Sequence, residues 1–212
     1  DPLAAKVAQG IKDWRPDASV GQLRLPGCKA DMGLPDMTLD EAKAAGAKPL
    51  VIGVANRGGF ISEPWLAVLE EALIKGFDLA SGLHNLLRDE ETLAALAREH
   101  GRALHDVRVP EVDYPIASGV PRKGKRLLAV GTDCSVGKMY TALCMEKAMT
   151  ARGMNCTFRP TGQTGILITG GGVPVDAVVA DFMAGSIEGL TPDNDPDHWD
   201  LIEGQGSLFH PS

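Results

Sequence analysis

The chain has 212 residues and a net charge of −7, from 21 basic and 28 acidic side chains. Hydrophobic residues make up 44 % and charged residues 23 %, a globular balance that excludes wholesale disorder. The acidic sign argues against a nucleic-acid or anionic-membrane binder, and an aromatic content of 5 % argues against a base-stacking surface. No apolar run approaches the ~20 residues of a bilayer span, and no signal peptide is visible. Cys28, Cys134, Cys144 and Cys156 form no CxxC pair and no metal-ligand spacing. They read as buried or reactive free thiols of a reducing cytoplasm, with no metal site expected. The sequence opens at Asp1-Pro2 and stops at Pro211-Ser212, and the expectation is a piece of a longer protein, cut at both ends.

In chain order, residues 2–14 predict a helix, with Leu3, Val7 and Ile11 every four residues. VGQLRLPG at 20–27 predicts a short strand. MTLDEAKAAGAK at 37–48 predicts a short helix with a Thr38/Glu41 capping box and Gly46 near its end. PLVIGVANRGG at 49–59 is an apolar strand entering a glycine-rich loop, and Ser62 caps a helix to about Lys75. A strand and turn at 77–84, a helix at 89–101 and a strand at 103–110 follow. This alternation means an α/β layer with a mostly parallel sheet. Prolines, glycines and a basic cluster at 110–126 mark a linker, which places a boundary between domains 1–118 and 119–212. The second pattern is a strand at 126–130, a loop at 131–138, a helix at 139–153 and a strand at 154–159. It continues with a glycine-rich turn at 161–165, an apolar then flexible run at 166–172, a long helix at 173–190, an acidic loop at 191–198 and a strand at 199–206.

The sharpest signal is strand, GTDCSVGK, helix. Several backbone N–H groups must converge to hold a phosphate, and glycines let the chain curl without a Cβ in the way. The following helix adds its positive end, and Lys138 adds a mobile charge. The candidate phosphate site is Gly131, Thr132, Asp133, Cys134, Ser135, Val136, Gly137 and Lys138, with Met139 next in line. Two features depart from the common Walker A form. Five residues, not four, separate Gly131 from Gly137, and Met139 stands where a Ser or Thr hydroxyl would hold magnesium. The alternative for this segment is a structural glycine turn. In WDLIEGQG, Glu203 ends a strand expected beside the loop at the carboxyl edge of the sheet. There it would bind magnesium, polarise a water or accept a proton; the bland alternative is a surface carboxylate. In TGQTG, Gln163 and Thr164 would touch a phosphate or an acyl carbonyl, or form a plain turn.

GTDCSVGK and EGQG resemble the phosphate loop and EGxG turn of dethiobiotin synthetase and its relatives, which keep a threonine at the position of Met139. A closer resemblance runs over nearly the whole chain. GVANRGGF (53–60), ASGLHNLL (80–87), VGTDCSVGKM (130–139), TGQTGI (161–166), GGGVPVDAVVADF (170–182) and EGQGSLFHP (203–211) are similar to a bacterial two-domain family long classed as uncharacterised. The resemblance implies an α/β fold, with a Rossmann-like N-terminal domain and a P-loop NTPase-like parallel-sheet domain, here partial. One branch of that family comprises D-glutamate N-acetyltransferases. In such an enzyme the loop 131–138 would hold the phosphates of acetyl-CoA, which requires no magnesium hydroxyl. The rival readings are an ATP- and magnesium-dependent ligase or kinase acting on a carboxylate, and a non-catalytic nucleotide-binding protein.

An acetyl transfer to an amine needs a base to free the amine, and Glu203 and His210 are the leading candidates, with His84 also in view. His105, also a base candidate, reads as a strand residue that is packed or hydrogen-bonded locally. A dicarboxylate acceptor calls for arginine: Arg57 in NRGG and Arg159 beside TGQTG come first, Arg108 third, each against an intramolecular ion pair. Asn56 and the Gly58-Gly59 amides would complete a carboxylate nest. The acceptor is expected in the cleft between the domains. The implied partner is a small amino acid in a cytoplasmic protein, with no nucleic acid, no membrane, and a homo-oligomer left open.

Overall fold

The computed structural model describes residues 2–56, 58–110 and 112–206. It divides into one compact unit up to Val107 and a second from Arg108. Among the described residues no helix is long and apolar enough to cross a membrane.

In the first unit a 3₁₀ turn at Pro2–Ala5 leads into α1 (Lys6–Trp14). Thr38 and Glu41 form the expected capping box on α2 (Leu39–Ala44). The Thr38 hydroxyl accepts the Glu41 N–H at 3.2 Å, and the Glu41 carboxylate accepts the Thr38 N–H at 2.8 Å. Ser62 stands at the N-cap of α3 (Glu63–Ile74), but its side chain makes no capping bond. α4 (Glu91–His100) ends at Gly101, whose φ of +60° is the left-handed cap that favours glycine. Three parallel strands, β1 (Pro49–Val51), β2 (Asp78–Ser81) and β3 (Leu104–Asp106), lie in the order β1-β2-β3. Leu69, Leu73, Phe77, Leu79 and Leu93 form the core against them. His105 is exposed on the edge strand β3, which rules out the packed alternative.

The strand expected at 20–27 does not join this sheet. Gln22 makes one isolated parallel bridge to Asp36: its N–H donates to Pro35 O and its carbonyl accepts from Met37 N–H, both at 2.9 Å.

The second unit begins with an extended run. Ser118 and Gly119 N–H donate to the Glu188 carboxylate at 2.8 and 2.9 Å, which holds that carboxylate below its ordinary range. The elements then follow as β4 (Lys125–Ala129), α5 (Lys138–Thr150), β5 (Cys156–Arg159), α6 (Gln163–Thr169), α7 (Ala180–Leu190) and β6 (Trp199–Glu203). All three strands are parallel in the order β4-β6-β5, so β6 is central and Asp200 and Leu201 are fully buried.

Two expectations are corrected here. Within the expected glycine-rich turn and apolar run, Gln163–Thr169 form one short helix, α6, with Gly162 at its N-cap. The long helix at 173–190 starts only at Ala180. Val173 N–H is tied to Pro160 O and Val175 N–H to Thr161 O, both at 3.2 Å, and Val175–Ala177 forms only a single 3₁₀ turn. Val179, at the start of that helix, is exposed.

Candidate functional site

The candidate site of the second unit is assembled from three loops at the carboxyl ends of parallel strands. Residues 131–137 leave β4 and curl back to α5, with Ser135 at φ +57° and Gly137 at φ +101°. Both angles lie in the left-handed region, which Gly137 enters freely as the N-cap of α5. A Cβ on Gly131 would fall 2.6 Å from Val136 Cγ2, so a larger residue there would displace the Val136 side chain from its place in the loop. The Asp133 carboxylate accepts the Cys134 N–H at 2.7 Å.

Lys138 is buried, and its ammonium donates to Asp133 O at 2.6 Å and to Gly206 O at 3.0 Å. One cation therefore ties the phosphate-type loop to the EGQG turn. The register Ala129↔Glu203 sets that turn directly beside the loop. Gly204 is required there, because any Cβ would drive into the carbonyl oxygen of Ala129.

Glu203 is 6 % exposed. Its Oε2 accepts the N–H groups of Thr161 at 3.0 Å and Gly162 at 3.1 Å, and its backbone carbonyl accepts the Thr161 hydroxyl at 2.6 Å. Gln205 donates to the same hydroxyl at 3.2 Å. Burial raises the Glu203 carboxyl above its ordinary value; the two amides, Gln205 and the nearby Lys138 charge pull the other way. Gln163 and Thr164 form the first turn of α6, directly after these amides. The arrangement thus offers a cation on the loop and a buried carboxylate of raised proton affinity on the adjacent strand.

The other candidates are placed as follows. The Arg159 Nε donates to Asp200 Oδ1 at 2.7 Å, the intramolecular ion pair that sequence left as its alternative. Arg108 likewise pairs with Asp176. In the first unit, Asn56 Nδ2 donates to Phe60 O at 3.0 Å, while its buried Oδ1 has no hydrogen-bond partner among the described residues. Gly58 follows at φ +81°, and His84 is exposed, beside Gly59. Arg57 and His210 lie outside the described residues. Cys28, Cys134 and Cys144 are exposed free thiols, and Cys156 is half-buried.

Sequence reasoning missed Thr161, which holds both ends of Glu203. It also missed the buried pair His198 and Asp200, 4 % and 0 % exposed, with His198 Nε2 at 2.9 Å from the Thr157 hydroxyl. These contacts span 41 or 42 residues, beyond the reach of any local pattern.

Residues 23–110 match the family model described as a domain of unknown function (DUF1611_N), a Rossmann-like domain. Residues 115–212 match that of a domain of unknown function (DUF1611_C), a P-loop domain. The chain belongs to the two-domain DUF1611 family. A relative from Tritonibacter scottomollicae, a D-glutamate N-acetyltransferase, is 76 % identical over all 212 residues. Another D-glutamate N-acetyltransferase, from Pseudoalteromonas sp., is 48 % identical over the same span. The chain spans 64 % of the length of each. The crystal structure of a DUF1611 family protein from Anabaena variabilis is similar with a TM-score of 0.71 at 39 % identity, covering 83 % of this chain and 51 % of that one.

Proposed function

We propose that this protein transfers an acetyl group from acetyl-CoA to the amino nitrogen of D-glutamate. The observation that carries the reading is the Lys138 ammonium, fixed between Asp133 O and Gly206 O beside a buried carboxylate. The two relatives bearing the name D-glutamate N-acetyltransferase support it.

The loop 131–138 fits a pyrophosphate. It has a glycine-permitted curl, the start of the 13-residue helix α5 and a cation already drawn over the loop. Met139 provides no hydroxyl for magnesium, and pyrophosphate held by backbone and lysine needs none. Acetyl-CoA supplies the acyl carbon as a thioester. Glu203 takes the ammonium proton, so the nitrogen lone pair is free to form the new C–N bond as the C–S bond breaks; the nitrogen's second proton passes to the departing CoA thiolate, which leaves as the free thiol. A carboxylate whose proton affinity is raised by burial is a better base near neutral pH than an exposed one. The Thr161 and Gly162 amides keep its Oε2 in place. Gln163 and Thr164 are the proposed contacts to the acyl group. For the acceptor, the first unit by itself offers Asn56 and Gly58, with Arg57 as the proposed carboxylate partner. The free Asn56 Oδ1 is an acceptor and suits an ammonium better than a carboxylate. Arg159, engaged by Asp200, is the weaker substrate contact. We place the protein in the cytoplasm.

Incubating the full-length protein with acetyl-CoA and D-glutamate tests the reading, with mass spectrometry of the amino acid as the readout. A product heavier by one acetyl group is expected. Turnover of magnesium-ATP on a carboxylate substrate, with no acetylated product, would overturn the reading in favour of the ligase or kinase.

A further inference from the structure

The first unit contains a cavity of about 510 Å³. It is lined by the free edge of β1 and its continuation, residues 49–54, and by residues 18–25, the segment that reads as a strand yet joins no sheet. Ala8 and Ile11 of α1 and Trp65 and Leu69 of α3 also line it. The lining contributed by the two helices is therefore apolar, as around the central strand of a parallel sheet.

The two segments each present a strand edge. Ile52 N–H donates to Ala80 O, and Lys48 O accepts from Asp78 N–H, so residues 48, 50 and 52 face β2. By alternation the N–H and C=O of Val51 face the cavity. In the other segment, Gln22 turns its N–H and C=O toward residues 35–37. Gly21 and Leu23 therefore face the other way, and among the described residues no hydrogen bond engages their backbone groups. One strand residue occupies about 160 Å³, from a 3.3 Å rise, a 4.8 Å strand spacing and a layer of about 10 Å. The cavity therefore holds about three residues of one strand, the same length as β1.

The relatives are longer than this chain, which spans 64 % of them, so a source of such a strand exists in the full-length protein. α1 indicates which part. Ala55 N–H donates to Ala4 O and Ala8 N–H to Gly53 O, so the start of α1 sits at the carboxyl end of β1. A strand parallel to β1 in the gap would end at that same edge, a short connection from Pro2.

We propose that the segment directly preceding Asp1 in the full-length protein forms an apolar strand in this slot. It runs parallel to β1, pairing with Val51 on one side and with Gly21 and Leu23 on the other. Residues 20–25 then become a strand of a five-stranded sheet, and their alternating pattern has its explanation.

Amide hydrogen exchange on the full-length protein tests this. The Val51 and Leu23 amides should exchange at least about 1,000-fold more slowly than unstructured amides, because a central strand opens only with its unit. Exchange of either amide at the rate of an exposed loop overturns the proposal. A crystal structure of the full-length protein gives the second reading. Residues preceding Asp1 between Gly21–Leu23 and Pro49–Val51 are expected; residues following Ser212, a second copy, a small apolar molecule or solvent in that position would overturn it.

Discussion

Replacing Gly165 with Ala sets two effects of opposite sign against each other. Gly165 lies inside α6, where alanine is favoured over glycine by about 0.5–1 kcal/mol on helix propensity. A Cβ there, however, would stand 2.6 Å from Glu203 Oε2 and 2.8 Å from Pro160 Cβ, against an ordinary contact of 3.4 Å or more. The proline ring is rigid and the carboxylate is pinned by two amides, so neither neighbour gives way cheaply. Overpacking of this kind costs about 1–3 kcal/mol, which exceeds the propensity gain. Gly189 in α7 is the control: its Cβ would meet nothing within 4 Å, so Gly189→Ala should show the propensity gain alone. In urea denaturation of the full-length protein, Gly165→Ala should lower the midpoint and Gly189→Ala should raise it, a separation of about 1–3 kcal/mol. Acetyl transfer should also fall in Gly165→Ala, through displacement of Glu203. Equal or greater stability of Gly165→Ala than of Gly189→Ala would refute the packing argument.

Lys138→Ala removes a charge-assisted donor and should weaken CoA binding by about 1.5–3 kcal/mol, or roughly 10- to 150-fold, in a calorimetric titration; unchanged affinity would count against the loop's role. Glu203 titrates above its ordinary 4.5, so kcat/KM should fall as pH drops through that raised value, and Glu203→Gln should abolish the limb along with most activity. The same shift sets the sign for stability. The carboxyl's contribution is full below 4.5 and is lost as pH rises through the raised value, so Glu203→Gln should gain on wild type over that rise. Arg159→Met leaves the fully buried Asp200 without its cation and should cost roughly 3–5 kcal/mol of stability, whereas a rise in the D-glutamate KM with stability intact would restore Arg159 as a substrate contact. Thr38→Ala should lose about 0.5–2 kcal/mol, read as a lowered denaturation midpoint.

What the sequence made legible was local. The capping box at Thr38, the curl of 131–138 before a helix, and an acidic strand end beside it all depend on neighbours a few residues apart. α6 reads as a turn because it is only 7 residues long and opens Q-T-G directly after Thr161-Gly162. Its helical state rests on burial of Ile166 and Ile168, which a short apolar run does not reveal. The helix expected from 173 fails for a tertiary reason, the hydrogen bonds that Val173 and Val175 make to Pro160 and Thr161. Residues 20–27 alternate as a strand should, and pair through a single bridge. The Glu203 cradle and the Arg159–Asp200 pair were out of reach, since only the β5-β6 pairing brings those residues together.

The central claim is that residues 131–138 bind the phosphates of CoA through backbone and Lys138, without a metal ion. Titrating the full-length protein with CoA in EDTA, and again in excess magnesium, tests it most directly. The account predicts the same affinity in both. Binding that appears only with magnesium, or magnesium-ATP binding with none of CoA, would contradict it.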